Sequence, residues 1–190
     1  MSTYDLILER RTIRKFQQKR IDRHLLEKFV NAARFAPSAN NLQPLKYMIV
    51  DEEATVQRVF NNVKWAGYIT PLGNPAENER PVAFIVILPD TEIRKTGYEL
   101  DVGAAAQSIF LTALEDGIGT CWMGAIDRDA IKAVLHIPDR YNIDTVVALG
   151  YPMERPVTDE ENGSVRYYKD DKGVLHVPKR KLEDIILSHE

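Results

Sequence analysis

A sheet covered by helices on both faces is the fold class that this sequence predicts, and three observations carry it. Segments of helical period alternate with segments of strand-like period along the whole chain. The run "VAFIVIL" at 82–88 is apolar at every position, as a strand buried on both faces must be. A length of 190 residues, with 44% hydrophobic and 28% charged side chains, suits one ordinary domain with a sizeable core.

The elements follow in order. Residues 2–10 form a short helix with Ser2 and Asp5 placed as a capping pair; residues 22–36 form a stronger one, with Asp22 as cap and Leu26, Phe29, Val30 and Ala33 on one face. The connector "PSANNLQP" at 37–44 then leads to the strand "KYMIV". It carries more hydrogen-bonding side chains than a turn requires, because one proline and an Asn or Gly suffice to set turn angles. A helix fits 53–62 through Val56, Val59, Phe60 and Val63, and the buried strand 82–88 comes next.

Residues 98–116 make the longest helical candidate, ended by Gly117. Its first half contains Gly103, Ala104, Ala105 and Ala106, whose small volume would let another backbone approach closely. The strand "TCWMG", a short helix from Asp127 to Leu135 and the strand "DTVVALG" complete the pattern. Beyond Pro152 little core-forming pattern appears until "LEDII" at 182–186, so this tail is expected to wrap a surface, its own or a partner's.

Charge and composition exclude several function classes. A formal net charge of -3 provides no global attraction to nucleic acid or to anionic lipid. The longest apolar run is far too short to span a bilayer, and the opening residues have no signal-peptide pattern, so no membrane association is expected. Cys121 is the only cysteine, which excludes an intrachain disulfide and suits a reducing cytoplasm. Its place beside Trp122 in an apolar stretch reads as a buried structural thiol.

His24, His136, His176 and His189 match no ligand spacing, so no metal site is expected. Ser38 lacks the strand-turn-helix context of a serine hydrolase. "GIGTCWMG" follows a helix where a dinucleotide fingerprint requires a preceding strand, so its glycines are read as a helix cap and a tight entry into a strand. "ERRTIRKF" sets Arg10, Arg11, Arg14 and Lys15 around Thr12. Two readings stand here: a solvated basic face, or a phosphate clamp made of guanidinium forks and a hydroxyl.

Four stretches in register, "ERRTIRKF", "AARFAPSANNLQP", "LDVGAAAQSIFLTALEDGIGTCW" and "VALGYP" followed by "VPKRKLEDII", resemble the nitroreductase-like family of FMN-dependent NAD(P)H oxidoreductases, across nearly the whole chain. The resemblance implies an α+β fold, a three-layer α/β/α sandwich around a mixed, mainly antiparallel sheet, in one domain over 1–190. It also implies an intertwined homodimer with FMN at the interface, residues from about 152 to 190 wrapping the partner subunit. By carry-over, Arg10 and Thr12 meet the FMN phosphate and ribityl chain and Arg14 the pyrimidine edge, with Arg11 counted among the cofactor-binding residues. Pro37, Ser38 and Ala39 line the ring of the site held mainly by the other subunit, with Asn40 or Asn41 anchoring that loop. Met123 and Gly124 match the backbone beside flavin N5, and Lys179 and Arg180 the basic residues that return to the phosphate.

The implied reaction is hydride transfer from NAD(P)H to flavin N5, then to a small electron-poor acceptor of nitroaromatic, quinone or enone type, by a ping-pong mechanism with no catalytic side chain. Residues 61–81, with Trp65, Tyr68 and Pro71, stand where the family varies its lids. A flavin-binding sensor or carrier without turnover, and a flavin-dependent reductive dehalogenase-type enzyme, would share these motifs. A non-flavin protein using "RRTIRKF" to bind an acidic partner would be colourless.

Overall fold

The computed structural model describes residues 2–71 and 73–187; His189 lies outside the described residues. Helix α1 (Thr3–Glu9) opens on the capping box expected of Ser2 and Asp5. In α2 (Arg23–Arg34) Leu26, Phe29 and Ala33 are buried, while Asp22 occupies the cap position without accepting a side-chain hydrogen bond there. Then come β1 (Leu45–Val50), α3 (Glu53–Phe60), β2 (Ala83–Pro89), α4 (Glu99–Glu115), β3 (Gly119–Met123), α5 (Arg128–Leu135) and β4 (Thr145–Gly150).

The four strands lie in the order β1-β2-β4-β3, every neighbouring pair antiparallel. Strand period then divides the core. Phe84, Val86 and Leu88 pack in one cluster with Val56 and Val59 of α3 and Ile131 of α5. The alternate residues Ala83, Ile85 and Ile87 pack in another with Leu26 and Phe29 of α2 and Val102, Ala106 and Ile109 of α4. Each fully buried Phe, Leu or Ile contributes roughly 1.5–3 kcal/mol, so a strand buried along its whole length fixes the three-layer arrangement.

Two glycines let the basic segment cross the sheet edge. A Cβ on Gly119 would stand 2.8 Å from the Ile13 side chain, and one on Gly150 would stand 2.7 Å from Phe16. Ile13 donates its N–H to the carbonyl of Thr120 at 2.9 Å, and Thr12 forms a parallel bridge with Thr120. Gly119 thus makes the tight strand entry, and Gly117, with a positive φ of 74°, caps α4.

The tail, read from sequence as a surface-wrapping segment with little core-forming pattern, forms a small sheet of its own. Strands β5 (Val157–Glu160), β6 (Tyr168–Lys169) and β7 (Leu175–Lys179) form a second sheet in the order β5-β7-β6, with β5 parallel to β7 and β6 antiparallel to it. Leu175 is buried within it. Polar side chains knit the rest: His176 Nδ1 lies 2.7 Å from Asp159 and its ring stacks on Tyr168, centroids 4.8 Å apart. Such pairings leave no apolar period in the sequence. Leu182, Ile185 and Ile186 are exposed.

Trp65, expected on a variable lid, is instead a core residue packed against Phe60 with ring centroids 5.7 Å apart. Tyr68 does stand at the surface, 5.0 Å from the Tyr167 ring. No helix among the described residues is long and apolar enough to cross a membrane.

Candidate functional site

Helix α1 delivers Arg10 and Arg11 to the rim of a cavity of about 810 Å³, lined also by Leu114 and Gly117 at the end of α4, by Thr120, and by Glu154 and Pro156 of the tail. Arg11 donates through Nε to the Thr158 hydroxyl at 2.6 Å and through Nη1 to the Arg10 carbonyl at 2.6 Å. Among the described residues the Arg10 guanidinium has no hydrogen-bond or ion-pair partner. Burial first, and repulsion from Arg11 second, hold its pKa below the usual arginine value, though it stays charged at neutral pH. Two half-buried guanidinium groups, neither paired with a carboxylate among the described residues, make a place for an anion.

Arg14 is anchored differently. Its backbone N–H donates to Glu154 Oε1 at 2.6 Å, and its guanidinium lies over the Tyr167 ring, 5.0 Å from the centroid. It is near enough to Cys121 for its charge to favour the thiolate slightly. Burial dominates all the same, pushing that thiol up to about 11. Cys121 is therefore a buried structural thiol, as expected.

Met123 and Gly124 end the same strand. From Gly119 to Gly124 the chain covers about 17 Å at strand spacing, so the arginines sit at one end of β3 and the Met123–Gly124 backbone at the other. Met123 is buried, whereas a Cβ on Gly124 would meet nothing within 4 Å. The Gly124 backbone is open to approach, whereas Met123 is paired with Val146 in the sheet and its carbonyl accepts the Thr145 hydroxyl at 2.8 Å.

The connector after α2 lies elsewhere. Asn40, Asn41 and Gln43 adopt φ of 52°, 55° and 49°, the left-handed region that Asn tolerates better than most residues. This accounts for part of the polar crowding. Ser38 Oγ accepts the Gln43 N–H at 3.0 Å, and the Ala39 N–H donates to Asp101 Oδ1, 3.2 Å away on the first turn of α4. Pro37, Ala39, Asn40 and Asn41 remain exposed.

Lys179 and Arg180 are exposed at the end of β7. Lys179 stands in register with Glu160, two residues beyond Thr158, and neither it nor Arg180 borders the cavity. The structure therefore gathers Arg10, Arg11 and Thr12 at one end of β3, and leaves loop 37–41 and the 179–180 pair apart from them within one chain. Sequence reasoning missed Glu154, Thr158 and Tyr167, which anchor the basic stretch from the tail. No local motif marks them, since each acts across more than a hundred residues. Asp101 was missed as well, although a carboxylate between Leu100 and Val102, just ahead of the small-residue stripe, was a visible signal. Among the described residues no cluster of His, Cys, Asp or Glu could hold a metal ion.

Comparison with known proteins finds likeness to one family, in sequence and in overall fold. The model of the Nitroreductase family covers residues 7–151. A protein of Archaeoglobus fulgidus, provisionally named NADH dehydrogenase/NAD(P)H nitroreductase, is 31% identical over 156 residues, which is 78% of this chain and 84% of that protein. Among solved structures, a nitroreductase family protein from Clostridium novyi NT superposes with a TM-score of 0.66 at 28% identity, over 80% of this chain and 86% of the other. An FMN-dependent nitroreductase from Clostridium difficile R20291 gives 0.64 at 25% identity, over 88% and 92%.

Proposed function

Because the chain belongs to the nitroreductase family, we propose that it is an FMN-dependent NAD(P)H oxidoreductase, active as a homodimer on small electron-poor acceptors of nitroaromatic, quinone or enone type. The observation that carries this reading is Arg10, without a side-chain partner among the described residues, beside Arg11 on a cavity of about 810 Å³. These groups fit a phosphate. A flavin-dependent nitroreductase is among the similar structures.

In this reading Arg10, Arg11 and Thr12 bind the phosphate and ribityl chain, and Lys179 and Arg180 add positive charge from the tail. Arg14 approaches the pyrimidine edge, where a cation stabilises added negative charge. Met123 and Gly124 offer backbone N–H groups to the ring, and Pro37, Ser38, Ala39, Asn40 and Asn41 close over it. FMN, when bound, supplies acceptance of hydride from NAD(P)H and its delivery to the acceptor at one shared face, hence the ping-pong order. The protein orients the ligands and holds water away.

Distance within one chain supports the dimer. Ala39 is tied to Asp101 at one end of α4, while Leu114 borders the Arg10 cavity at the other. Thirteen helical steps, from Asp101 to Leu114, separate them by about 20 Å. A second copy related by a two-fold axis presents its loop 37–41 to the first copy's arginines. Tyr4, Ile7 and Leu8 of α1, Phe35, and Leu100 of α4 are exposed apolar side chains that such a partner would cover. By the same reading the tail from residue 152 extends that contact.

The test is reconstitution. Purified protein should be yellow or take up FMN with one site per chain, and anaerobic mixing with NADH or NADPH should bleach it. Added quinone, nitro compound or enone should restore the colour. A colourless protein that takes up no FMN would overturn the proposal, and bleaching without reoxidation by any acceptor would point to a carrier.

A further inference from the structure

Asp101 presents an energetic problem: it is a carboxylate only 4% exposed, in the first turn of a helix whose surroundings are Val102, Ala105 and Ala106. A buried carboxylate is costly unless it is paired and hydrogen-bonded. Its two oxygens are used separately. Oδ2 accepts from Arg94 Nη1 at 3.2 Å, and that arginine also donates through Nε to the Thr96 carbonyl at 3.0 Å. Oδ1 accepts from the Ala39 N–H at 3.2 Å. The first contact offsets the charge; the second reaches out of the helix to the connector.

Among the described residues, the other hydrogen bonds of 38–43 stay within the loop. Asn41 N–H donates to the Ser38 carbonyl at 2.9 Å, Leu42 N–H to the Ala39 carbonyl at 3.1 Å, and Gln43 N–H to Ser38 Oγ at 3.0 Å. These bonds set a shape for the loop but do not fix where that shape sits on the molecule. Its residues are mostly exposed, and three have positive φ.

We infer that Asp101 is the positioning residue of the ring-lining loop: through Ala39 it clamps residues 38–43 to the N-terminal end of α4, so that each subunit offers the loop to its partner's flavin in one orientation. This rests on the proposed FMN site. It adds a residue that touches neither cofactor nor substrate and acts through the loop. Arg94 engages the other oxygen of the carboxylate at 3.2 Å and so leaves Oδ1 free to face the loop.

The experiment compares Asp101→Ala with Asp101→Asn, whose amide oxygen can still accept the Ala39 N–H. Amide hydrogen exchange is followed first in protein without FMN. Asp101→Ala should speed exchange at Ala39, Asn41 and Leu42 by about 10-fold, the order set by loss of one charge-assisted hydrogen bond, and leave β2 and β4 protected as in the wild type. Asp101→Asn keeps an acceptor for Ala39 but loses its charge and turns an NH2 toward Arg94, so it should fall between the wild type and Asp101→Ala, about 3-fold faster than the wild type. FMN affinity, read by flavin fluorescence, should follow the same order. Should alanine fail to fold, Asp101→Ser is the second loss variant, its hydroxyl being too short to reach Ala39. Unchanged loop exchange in the loss variant, or equal loss in both variants spread through α2 and α4, would overturn the inference. Failure of the wild type to take up FMN would strike the function itself, and is read without any variant.

Discussion

The backbone N–H of Ile13 donates to the carbonyl of Thr120 at 2.9 Å, and Gly119, the residue before Thr120, has no side chain to hold Ile13 away. This contact sets the height at which Arg10, Arg11 and Thr12 cross the edge of β3. A Cβ on Gly119 would stand 2.8 Å from Ile13, so Gly119→Ala must push the basic segment outward. Overpacking of this kind costs roughly 1–3 kcal/mol. Urea denaturation should show that loss, and FMN affinity should fall with it; a variant as stable and as tight as the wild type would contradict the placement.

Arg10→Ala isolates the anion site. A hydrogen bond to a charged group contributes roughly 1.5–3 kcal/mol, so FMN binding should weaken by about 10- to 150-fold, measured by fluorescence titration of the cofactor-free protein. The fold should be unaffected, since Arg10 has no hydrogen-bond or ion-pair partner among the described residues. Unchanged affinity would remove Arg10 from the phosphate site.

Cys121 is buried, and burial raises its thiol to about 11, so little thiolate exists at neutral pH. Folded protein should react with thiol reagents only slowly. Cys121→Ala should keep reductase turnover, at a stability cost of about 1 kcal/mol. Loss of turnover in a folded, FMN-loaded variant would give the thiol a role it lacks here.

His176 gives the tail sheet a pH dependence. Its hydrogen bond to Asp159, with a further contribution from Asp170, raises its pKa above the ordinary 6.5. A group with a raised folded pKa contributes stability that is fully present below the unfolded value and is lost as pH rises through the folded one. Protease resistance of residues 157–179 should therefore decline as pH rises past the His176 titration, and NMR titration should place that titration above 6.5. Asp159→Asn should bring it down. A titration at or below the ordinary value would remove the stabilising His176–Asp159 contact from the account.

Most of the layered fold was legible because period 3.6 and period 2 record which face is buried. Leu26, Phe29 and Ala33 mark the inner face of α2, and the unbroken run through Ile85 and Ile87 marks a strand with no outer face. The tail sheet was not legible, because Asp159, Tyr168 and His176 join its strands through polar and stacking contacts that no window of sequence contains. At the candidate site, the arginines announce themselves as a charge cluster. Glu154 and Thr158, which anchor Arg14 and Arg11, act from 140 and 147 residues away. Asn40 and Asn41 were legible as surplus polarity, and their left-handed backbone supplies a local reason for it.

The claim that one chain holds two separated halves of a site is tested most directly by complementation within a dimer. A subunit carrying Arg10→Ala and a subunit with loop 37–41 disrupted should each be nearly inactive alone. In a tagged and isolated heterodimer both defects fall in one site, and the other site receives wild-type elements from both chains. Activity and FMN content should return to about half of the wild-type dimer, as two-fold symmetry requires. No recovery in the isolated heterodimer, or full FMN loading and turnover in a demonstrably monomeric wild-type sample, would contradict the shared site.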